Sequence, residues 1–121
     1  MGPDDDREQA ERLADKVANL RIFADAEGRT NLSLRDVQGE ALVVSQFTLY
    51  ADTSRGRRPS FIRAGDPEQA EALYEHFAAR LETTHGIPTK KGSFGAHMTV
   101  SIENDGPVTL ALSTDDWATN V

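Results

Sequence analysis

The chain has 121 residues, with 13 Lys and Arg against 20 Asp and Glu, and it has no cysteine. The absence of cysteine excludes disulfides, thiolate zinc sites and cysteine nucleophiles. No apolar run approaches the ~20 residues that span a bilayer, and the acidic start Met1–Asp6 is unlike a signal peptide. The length fits one domain over residues 1–121. We therefore expect a cytoplasmic protein with no membrane partner, and the net charge of −7 argues against DNA as a partner.

The first third of the chain predicts a helix followed by two short strands. The helix is expected over Pro3–Asn19, with Glu11 and Asp15 on its solvated side and an apolar stripe at Ala10, Leu13, Ala14, Val17 and Ala18. Strands are predicted at Arg21–Ala24 and Asn31–Leu34, joined through the turn-forming residues Asp25–Gly28.

Glu40–Tyr50 has the strongest strand pattern, and its continuous apolar run predicts a central strand that is covered on both faces. Three polar side chains, Ser45, Gln46 and Thr48, lie towards its end. The following loop, residues 51–65, is rich in arginine: Arg55, Arg57, Arg58 and Arg63. Together with Lys90 and Lys91 these arginines could contact phosphates, or they could simply be solvated loop charges.

A second helix is predicted over Pro67–Thr84, opened by an Asp66/Gln69 capping box and ended by Gly86. Its expected buried stripe comprises Ala70, Leu73, Tyr74, Phe77 and Leu81. Strands are then predicted over residues 97–103 and 108–112, and residues 113–121 are expected to form a mobile tail. These elements predict a layered α/β domain with a mixed β-sheet and two principal helices.

Two segments are candidates for chemistry, and each also has a purely structural interpretation. Polar groups at Ser45–Thr48 either are satisfied within the fold or open into a pocket. Asn104–Thr109 forms either a plain hairpin turn or a loop that presents backbone atoms to a ligand. The three histidines match no zinc spacing, and no Gly-x-Ser-x-Gly elbow supports a Ser45–His97–Asp105 triad.

Several segments resemble the D-aminoacyl-tRNA deacylase family, formerly called D-tyrosyl-tRNA deacylase. The two carrying motifs are Ser45-Gln46-Phe47-Thr48-Leu49 and Asn104-Asp105-Gly106-Pro107-Val108-Thr109. Two further segments, Phe94-Gly95-Ala96-His97-Met98 and Gly56–Phe61, also resemble family sequences. The resemblance runs without a gap from about Asp4 to Leu112.

The resemblance implies an enzyme of translation quality control that hydrolyses the ester between a D-amino acid and the 3′-terminal adenosine of tRNA. It also implies activity on glycyl-tRNA mischarged on tRNA(Ala), and a fold of two sheets plus helices. The partners it implies are the aminoacyl-tRNA 3′ end and a second copy of the chain, in a homodimer whose active sites lie at the interface. No metal and no cofactor are implied.

The resemblance also assigns residues. Ser45, Gln46, Phe47 and Thr48 should line the pocket around the amino acid and the ester, and Phe94 and Met98 should hold the adenine. The Gly106-Pro107 bond should be cis and should enter the partner's site, where its backbone rejects an L side chain. Thr48 is either a nucleophile or a contact. We favour a contact, with the tRNA 2′-hydroxyl assisting, because no base is evident beside Thr48.

One departure from the family is that its first thirty-odd residues, which supply strands and an arginine near the Gly-Pro loop, have no counterpart here. Three alternatives therefore stand beside the leading hypothesis. They are a truncated remnant that folds or dimerises without turnover, a related deacylase of mischarged L-alanyl-tRNA, and a generic serine esterase. The wording of Ser45-Gln46-Phe47 and Asn104-Asp105-Gly106 favours the D-specific branch.

Overall fold

A computed structural model describes residues 2–117. In chain order it contains α1 (Arg7–Asn19), β1 (Arg21–Ala24), β2 (Thr30–Ser33), β3 (Ala41–Val43), α2 (Pro67–Thr83) and β4 (Thr89–Lys91), with 3₁₀ turns at Phe47–Tyr50 and Thr114–Asp116. The predicted α/β class is confirmed. The described strands form two small sheets, an antiparallel β1–β2 pair and a parallel β3–β4 pair, in place of one mixed sheet.

Helix α1 begins four residues later than the sequence predicts. Asp6 is its N-cap, with extended backbone, and its carboxylate accepts from the Gln9 N–H while the Gln9 side chain accepts from the Asp6 N–H. The residues before it form a separate turn, in which the Gly2 N–H donates to the Asp5 carboxylate. Pro3 was a wrong start because this reciprocal capping box satisfies the free N–H groups at Asp6.

Helix α2 has its predicted N-cap but not the predicted capping box. The Asp66 carboxylate accepts from the Gln69 N–H at 3.2 Å, whereas the Gln69 side chain donates to the Asp5 carbonyl at 2.8 Å. The two helix starts are thereby tied to each other. The helix ends at Thr83, and Gly86 adopts a positive φ of 66° just beyond it, as expected for a glycine stop.

The two helices pack through small residues on α1 and larger ones on α2. Ala10, Ala14 and Ala18 are all buried, so the backbone of α1 can lie close to its neighbour. The core cluster joins Ala14 and Ala18 to Leu81 and Ile87, the two largest fully buried side chains. This packing between the two helices forms the buried core of the described chain.

Glu11 and Asp15 do not form the solvated face that the sequence predicts. Arg80 of α2 donates to both carboxylate oxygens of Asp15, at 3.0 and 3.1 Å, and His85 Nε2 lies 2.7 Å from Asp15 Oδ1. His76 Nε2 lies 2.8 Å from Glu11 Oε1. The prediction failed because helical periodicity identifies the apolar stripe but not a polar neighbour at its border.

The predicted strand Glu40–Tyr50 is also corrected. Pairing covers only Ala41–Val43, whose parallel partner is the unpredicted strand Thr89–Lys91, and Leu42 is 62% exposed. Beyond Val43 the chain leaves the sheet. Because the partner strand is only three residues long, no ladder exists to keep the later residues extended.

The strands predicted over residues 97–103 and 108–112 are not formed. Every residue from 99 to 112 is exposed, and none of them pairs with a strand of the described chain. An alternating pattern becomes a strand only where a neighbour accepts its backbone hydrogen bonds. In the region of the expected tail, Trp117 packs against the side chains of Arg12 and Lys16, whereas residues 118–121 lie outside the described range.

Candidate active site

A groove of about 1150 Å³ opens where β3 ends. Its walls come from α1, the segment after β3, residues 61–65, α2, the loop after β4 and residues 112–115. It brings together five of the eight site residues that the sequence predicts, namely Ser45, Gln46, Phe47, Phe94 and Met98. Thr48, Gly106 and Pro107 are not among its lining residues.

Ser45, Gln46 and Phe47 line the groove, and the Ser45–Thr48 segment does not continue the strand. Ser45 is half-buried, whereas Gln46, Phe47 and Thr48 are exposed at the start of the 3₁₀ turn. The Gln46 amide donates to Thr48 Oγ1 at 2.5 Å. The two polar side chains therefore form a pair at the edge of the groove.

Phe94 also lines the groove and rests on Tyr74. Their ring centroids are 5.8 Å apart with an interplanar angle of 40°. Phe94 is half-buried, so one part of the ring is supported while another part faces the groove. A supported ring of this kind is suited to stacking against a flat ligand.

Tyr74 anchors the two strands that end at the groove. Its hydroxyl lies 3.2 Å from the carbonyl of Val43, the last residue of β3, and 2.9 Å from the carbonyl of Gly92, which follows β4. Burial raises the pKa of the Tyr74 phenol above its usual 10.0, and Glu75 adds to the rise. The hydroxyl thus remains a donor, and it fixes the spacing between the two strand ends.

Met98 is placed by a close contact with glycine. A Cβ at Gly92 would lie 2.9 Å from Met98 Sδ, closer than such atoms approach in proteins. The Ser93 N–H also lies 3.4 Å from the same sulfur. The thioether therefore lies where only a glycine leaves it room.

Phe47 continues the groove towards the arginine-rich loop. The ring is 58% exposed and meets Phe61 edge-on, with centroids 5.2 Å apart. Phe61 belongs to the loop that carries the four arginines and also lines the groove. This contact joins the loop to the site.

The Asn104–Thr109 loop lies apart from the groove and is braced from within. Asn104 accepts from the Val108 N–H at 3.1 Å and donates to Thr109 Oγ1 at 3.0 Å. The Gly106-Pro107 bond is cis, as the resemblance implies, and Gly106 has a φ of 135°. The resemblance implies that Gly106 and Pro107 enter the site of a partner chain. Within this chain they do not line the groove.

Other chemistries find no support in the described part of the chain. Within residues 2–117 no group of three or more His, Asp or Glu side chains is placed to hold a metal ion, and no helix is long and apolar enough to cross a membrane. Over the same range neither Ser45 nor Thr48 hydrogen-bonds to a histidine or a carboxylate. A Ser45–His97–Asp105 triad therefore gains no geometric support.

Comparison with known proteins decides the family. Residues 1–113 match the family model described as D-Tyr-tRNA(Tyr) deacylase. The chain belongs to this family. The resemblance drawn from the two motifs is thereby confirmed, and the groove described above is the candidate active site of a deacylase family member.

The relatives of this deacylase family member are close over nearly its whole length. A D-aminoacyl-tRNA deacylase of Roseiflexus castenholzii is 60% identical over 112 residues, covering 93% of this chain and 71% of its own. One of Thermotoga petrophila is 54% identical over 112 residues, covering 93% and 74%. One of Thermomicrobium roseum is 59% identical over 108 residues, covering 89% and 70%.

Two solved structures share the fold of this deacylase family member. The c-Myc DNA Unwinding Element Binding Protein superposes with a TM-score of 0.86 at 40% identity, covering 94% of this chain and 77% of that one. A probable eukaryotic D-amino acid tRNA deacylase superposes with a TM-score of 0.64 at 18% identity, covering 80% and 69%. The second likeness concerns the fold alone.

Sequence reasoning did not assign Tyr74 and Phe61 to the site. Helical periodicity predicts Tyr74 as part of the core stripe of α2, yet a buried phenol needs a hydrogen-bond partner. That requirement was a usable signal, because Leu or Phe would have filled the same space without a hydroxyl. Phe61 gave no such signal, since its contact with Phe47 depends on how the loop folds back.

Proposed function

We propose that this chain hydrolyses the ester that joins a D-amino acid to the 3′-terminal adenosine of tRNA, releasing the free D-amino acid and tRNA. Family membership supports the reaction class. The observation that carries the site is the groove, whose lining combines the polar Ser45 and Gln46 with the supported ring of Phe94. We place the reaction in the cytoplasm, where translation consumes aminoacyl-tRNA, and include glycyl-tRNA mischarged on tRNA(Ala) among the substrates.

In the proposed reaction, water adds to the ester carbonyl and the bond from that carbon to the ribose oxygen breaks. The ribose oxygen takes up one proton of the attacking water, the other is released to solvent, and the amino acid leaves as a carboxylate. Backbone N–H groups of Ser45–Thr48 stabilise the oxyanion that develops on the carbonyl oxygen. Phe94 and Met98 hold the adenine, since a ring face and a thioether both suit a flat base.

Thr48 acts in this proposal as a contact and not as the nucleophile. A nucleophilic hydroxyl needs a neighbouring group that can take its proton. The partner of Thr48 Oγ1 is the Gln46 amide, which is not a base in either orientation. Removal of the proton of the attacking water is therefore assigned to the substrate's own 2′-hydroxyl and to solvent water, and not to Thr48.

We propose further that the active form is a homodimer with active sites at the interface. Large apolar side chains are widely exposed, with Leu49 82%, Ile62 88% and Ile102 78% accessible. Exposed apolar surface on this scale is typical of an interface. Sedimentation equilibrium should give twice the 13.2 kDa mass of the chain, and a monomer at micromolar concentration would contradict this part of the proposal.

The deciding experiment compares D-Tyr-tRNA with L-Tyr-tRNA as substrates of this chain. We expect the D ester to be cleaved and the L ester to be spared. Both reactions are followed by release of labelled tyrosine, with a no-enzyme control for spontaneous hydrolysis. Cleavage of neither ester by a folded protein would favour a remnant without turnover, and cleavage of simple aryl esters would favour a generic esterase.

Phe94→Ala should raise KM for D-Tyr-tRNA by about 10-fold while kcat changes by less than about threefold, because base stacking contributes roughly 1–3 kcal/mol. Phe94→Tyr, which keeps the ring, is the matched control and should behave like wild type. A fall in kcat with unchanged KM would remove Phe94 from the adenine site.

Thr48→Val should retain kcat within about threefold of wild type, because the substitution removes only the hydroxyl from a side chain of the same shape. Thr48→Ser, which keeps the hydroxyl, is the control. If the serine variant were active and the valine variant inactive with unchanged Tm and tRNA binding, Thr48 would be the nucleophile after all.

A further inference from the structure

Positive charge in this chain is concentrated in one loop. The chain has a net charge of −7, yet residues 53–65 contain four arginines and no Asp or Glu. We call residues 53–63 the basic loop. All four of its arginines, Arg55, Arg57, Arg58 and Arg63, are exposed.

The basic loop is held in a defined shape. Asp52 and Ser60 form an antiparallel bridge across its base, with N···O distances of 2.7 and 2.9 Å. The Asp52 carboxylate also accepts from the N–H and the hydroxyl of Ser54, at 2.9 and 2.6 Å. The tip that carries Arg55, Arg57 and Arg58 is therefore presented by a pinned base.

Three of the four charges of the basic loop are not neutralised by the described part of the chain. Over residues 2–117, Arg55, Arg57 and Arg58 form no ion pair, and Arg63 lies 3.9 Å from Asp52. Two cations elsewhere form ion pairs within the chain, Arg80 with Asp15 and Lys91 with Glu75. Lys91, grouped with these arginines from the sequence, thus already has a partner.

The basic loop adjoins the groove. Phe61 lies in the basic loop, lines the groove and contacts Phe47 edge-on at 5.2 Å. A nucleic acid whose 3′ end entered the groove would therefore bring its phosphates towards the arginines. Arginine suits them because its planar fork can donate two hydrogen bonds to one phosphate.

We propose that the basic loop binds the phosphates of the tRNA acceptor end whose terminal aminoacyl adenosine occupies the groove. This inference rests on the proposed function. The groove selects the amino acid and the adenosine, and the basic loop supplies affinity for the polyanion. The overall negative charge then limits binding to other phosphate chains, because attraction is confined to one short segment.

The test compares Arg57→Gln/Arg58→Gln with Arg29→Gln/Arg35→Gln, which removes the same charge from exposed positions near the β1–β2 hairpin. We expect the loop variant to lower kcat/KM for D-Tyr-tRNA by about 10-fold at 0.1 M salt and to make the salt dependence shallower by roughly 1.4–1.8 in log–log slope. Hydrolysis of 3′-O-(D-tyrosyl)adenosine, which has no phosphate, should be unchanged. The control should match wild type on both substrates.

Equal effects of the two double variants, an unchanged salt slope, or the same loss on both substrates would each overturn the assignment. Failure of the proposed function looks different, because the wild-type chain would then cleave neither ester. In that event the anisotropy of labelled uncharged tRNA decides. The basic loop is supported if the loop variant alone has the shallower salt slope in binding, and refuted if both variants bind like wild type.

Discussion

Gly106→Ala is expected to lower kcat/KM for D-Tyr-tRNA by about 100-fold while leaving Tm within about 2 °C of wild type. Gly106 has a φ of 135°, which L side chains rarely adopt. An added Cβ would also lie 3.0 Å from Val108 Cγ2 and 3.1 Å from Val108 N. The Asn104–Thr109 loop must therefore change shape, and this change is the expected cause of the lost activity. The Tm is expected to change little because the loop is exposed and contributes no residue to the core.

Gly28→Ala is the matched control for the backbone strain. Gly28 also has a positive φ, 79°, and an added Cβ there meets nothing within 4 Å. Its turn lies between β1 and β2, so the control should cost some stability without a loss of activity. Equal activities of the two variants would remove the Gly106 loop from the proposed site.

The same variant tests whether the Gly106 loop acts in the partner's groove. In a mixed dimer of Gly106→Ala and Phe94→Ala chains, one groove combines an intact Phe94 with the intact loop of the other copy. Co-expression should therefore restore kcat/KM, measured with D-Tyr-tRNA well below KM, to about a quarter of the wild-type value, since half the dimers are mixed and half of their sites are intact. If the loop served its own chain, mixing would restore nothing.

Asp15→Asn is expected to lower stability at pH 7 by about 1–2 kcal/mol, because it weakens charge-assisted hydrogen bonds with Arg80 and His85. The Tm should fall by roughly 5–10 °C. Glu8→Gln removes an exposed carboxylate from the same helix and should have little effect. A similar loss in both variants would mean that charge on α1, and not this contact, is responsible.

The Asp15 effect should disappear at low pH. The hydrogen bond from Arg80 holds the pKa of the Asp15 carboxyl below its ordinary value of 3.8, and His85 acts in the same direction against burial. A lowered folded-state pKa stabilises the fold fully above the unfolded value and loses that effect as pH falls below it. Melts from pH 7 to pH 3 should show the gap between wild type and Asp15→Asn closing below about pH 4.

The elements that the sequence predicted best are those maintained by local interactions. The observed bounds of helix α2 agree with the prediction to within one residue at its end. The agreement is close because the residues that start the helix, Asp66 and Pro67, and the glycine that stops it, Gly86, lie next to it in the sequence. The strand at Arg21–Ala24 was predicted with its observed bounds, since the Asp25–Gly28 turn pairs it with the next segment. The two sequence motifs likewise identify the family without any geometry.

Elements that depend on distant partners were predicted less well. The Glu40–Tyr50 pattern could not show that β4 offers only three residues for pairing, so Gln46 and Thr48 were placed in a strand and not on an exposed turn. The alternation over residues 97–112 could not show that no strand of the described chain pairs with it. In each case the local sequence favours an extended backbone, but the described chain offers no neighbouring strand that would accept its backbone hydrogen bonds.

The amino-acid order was sufficient for the reaction class, the two helices and five of the residues that line the groove, because motifs and periodicity are properties of neighbours along the chain. Tertiary contact decided the rest. Through tertiary contacts Asp15, predicted as a solvated charge, becomes a hydrogen-bond partner between the two helices. Tyr74, predicted as a core residue, contacts the ends of both β3 and β4 through its hydroxyl. Phe61 joins the groove to the basic loop. These roles arise from atoms brought together across tens of residues, and no local pattern encodes which of them will meet.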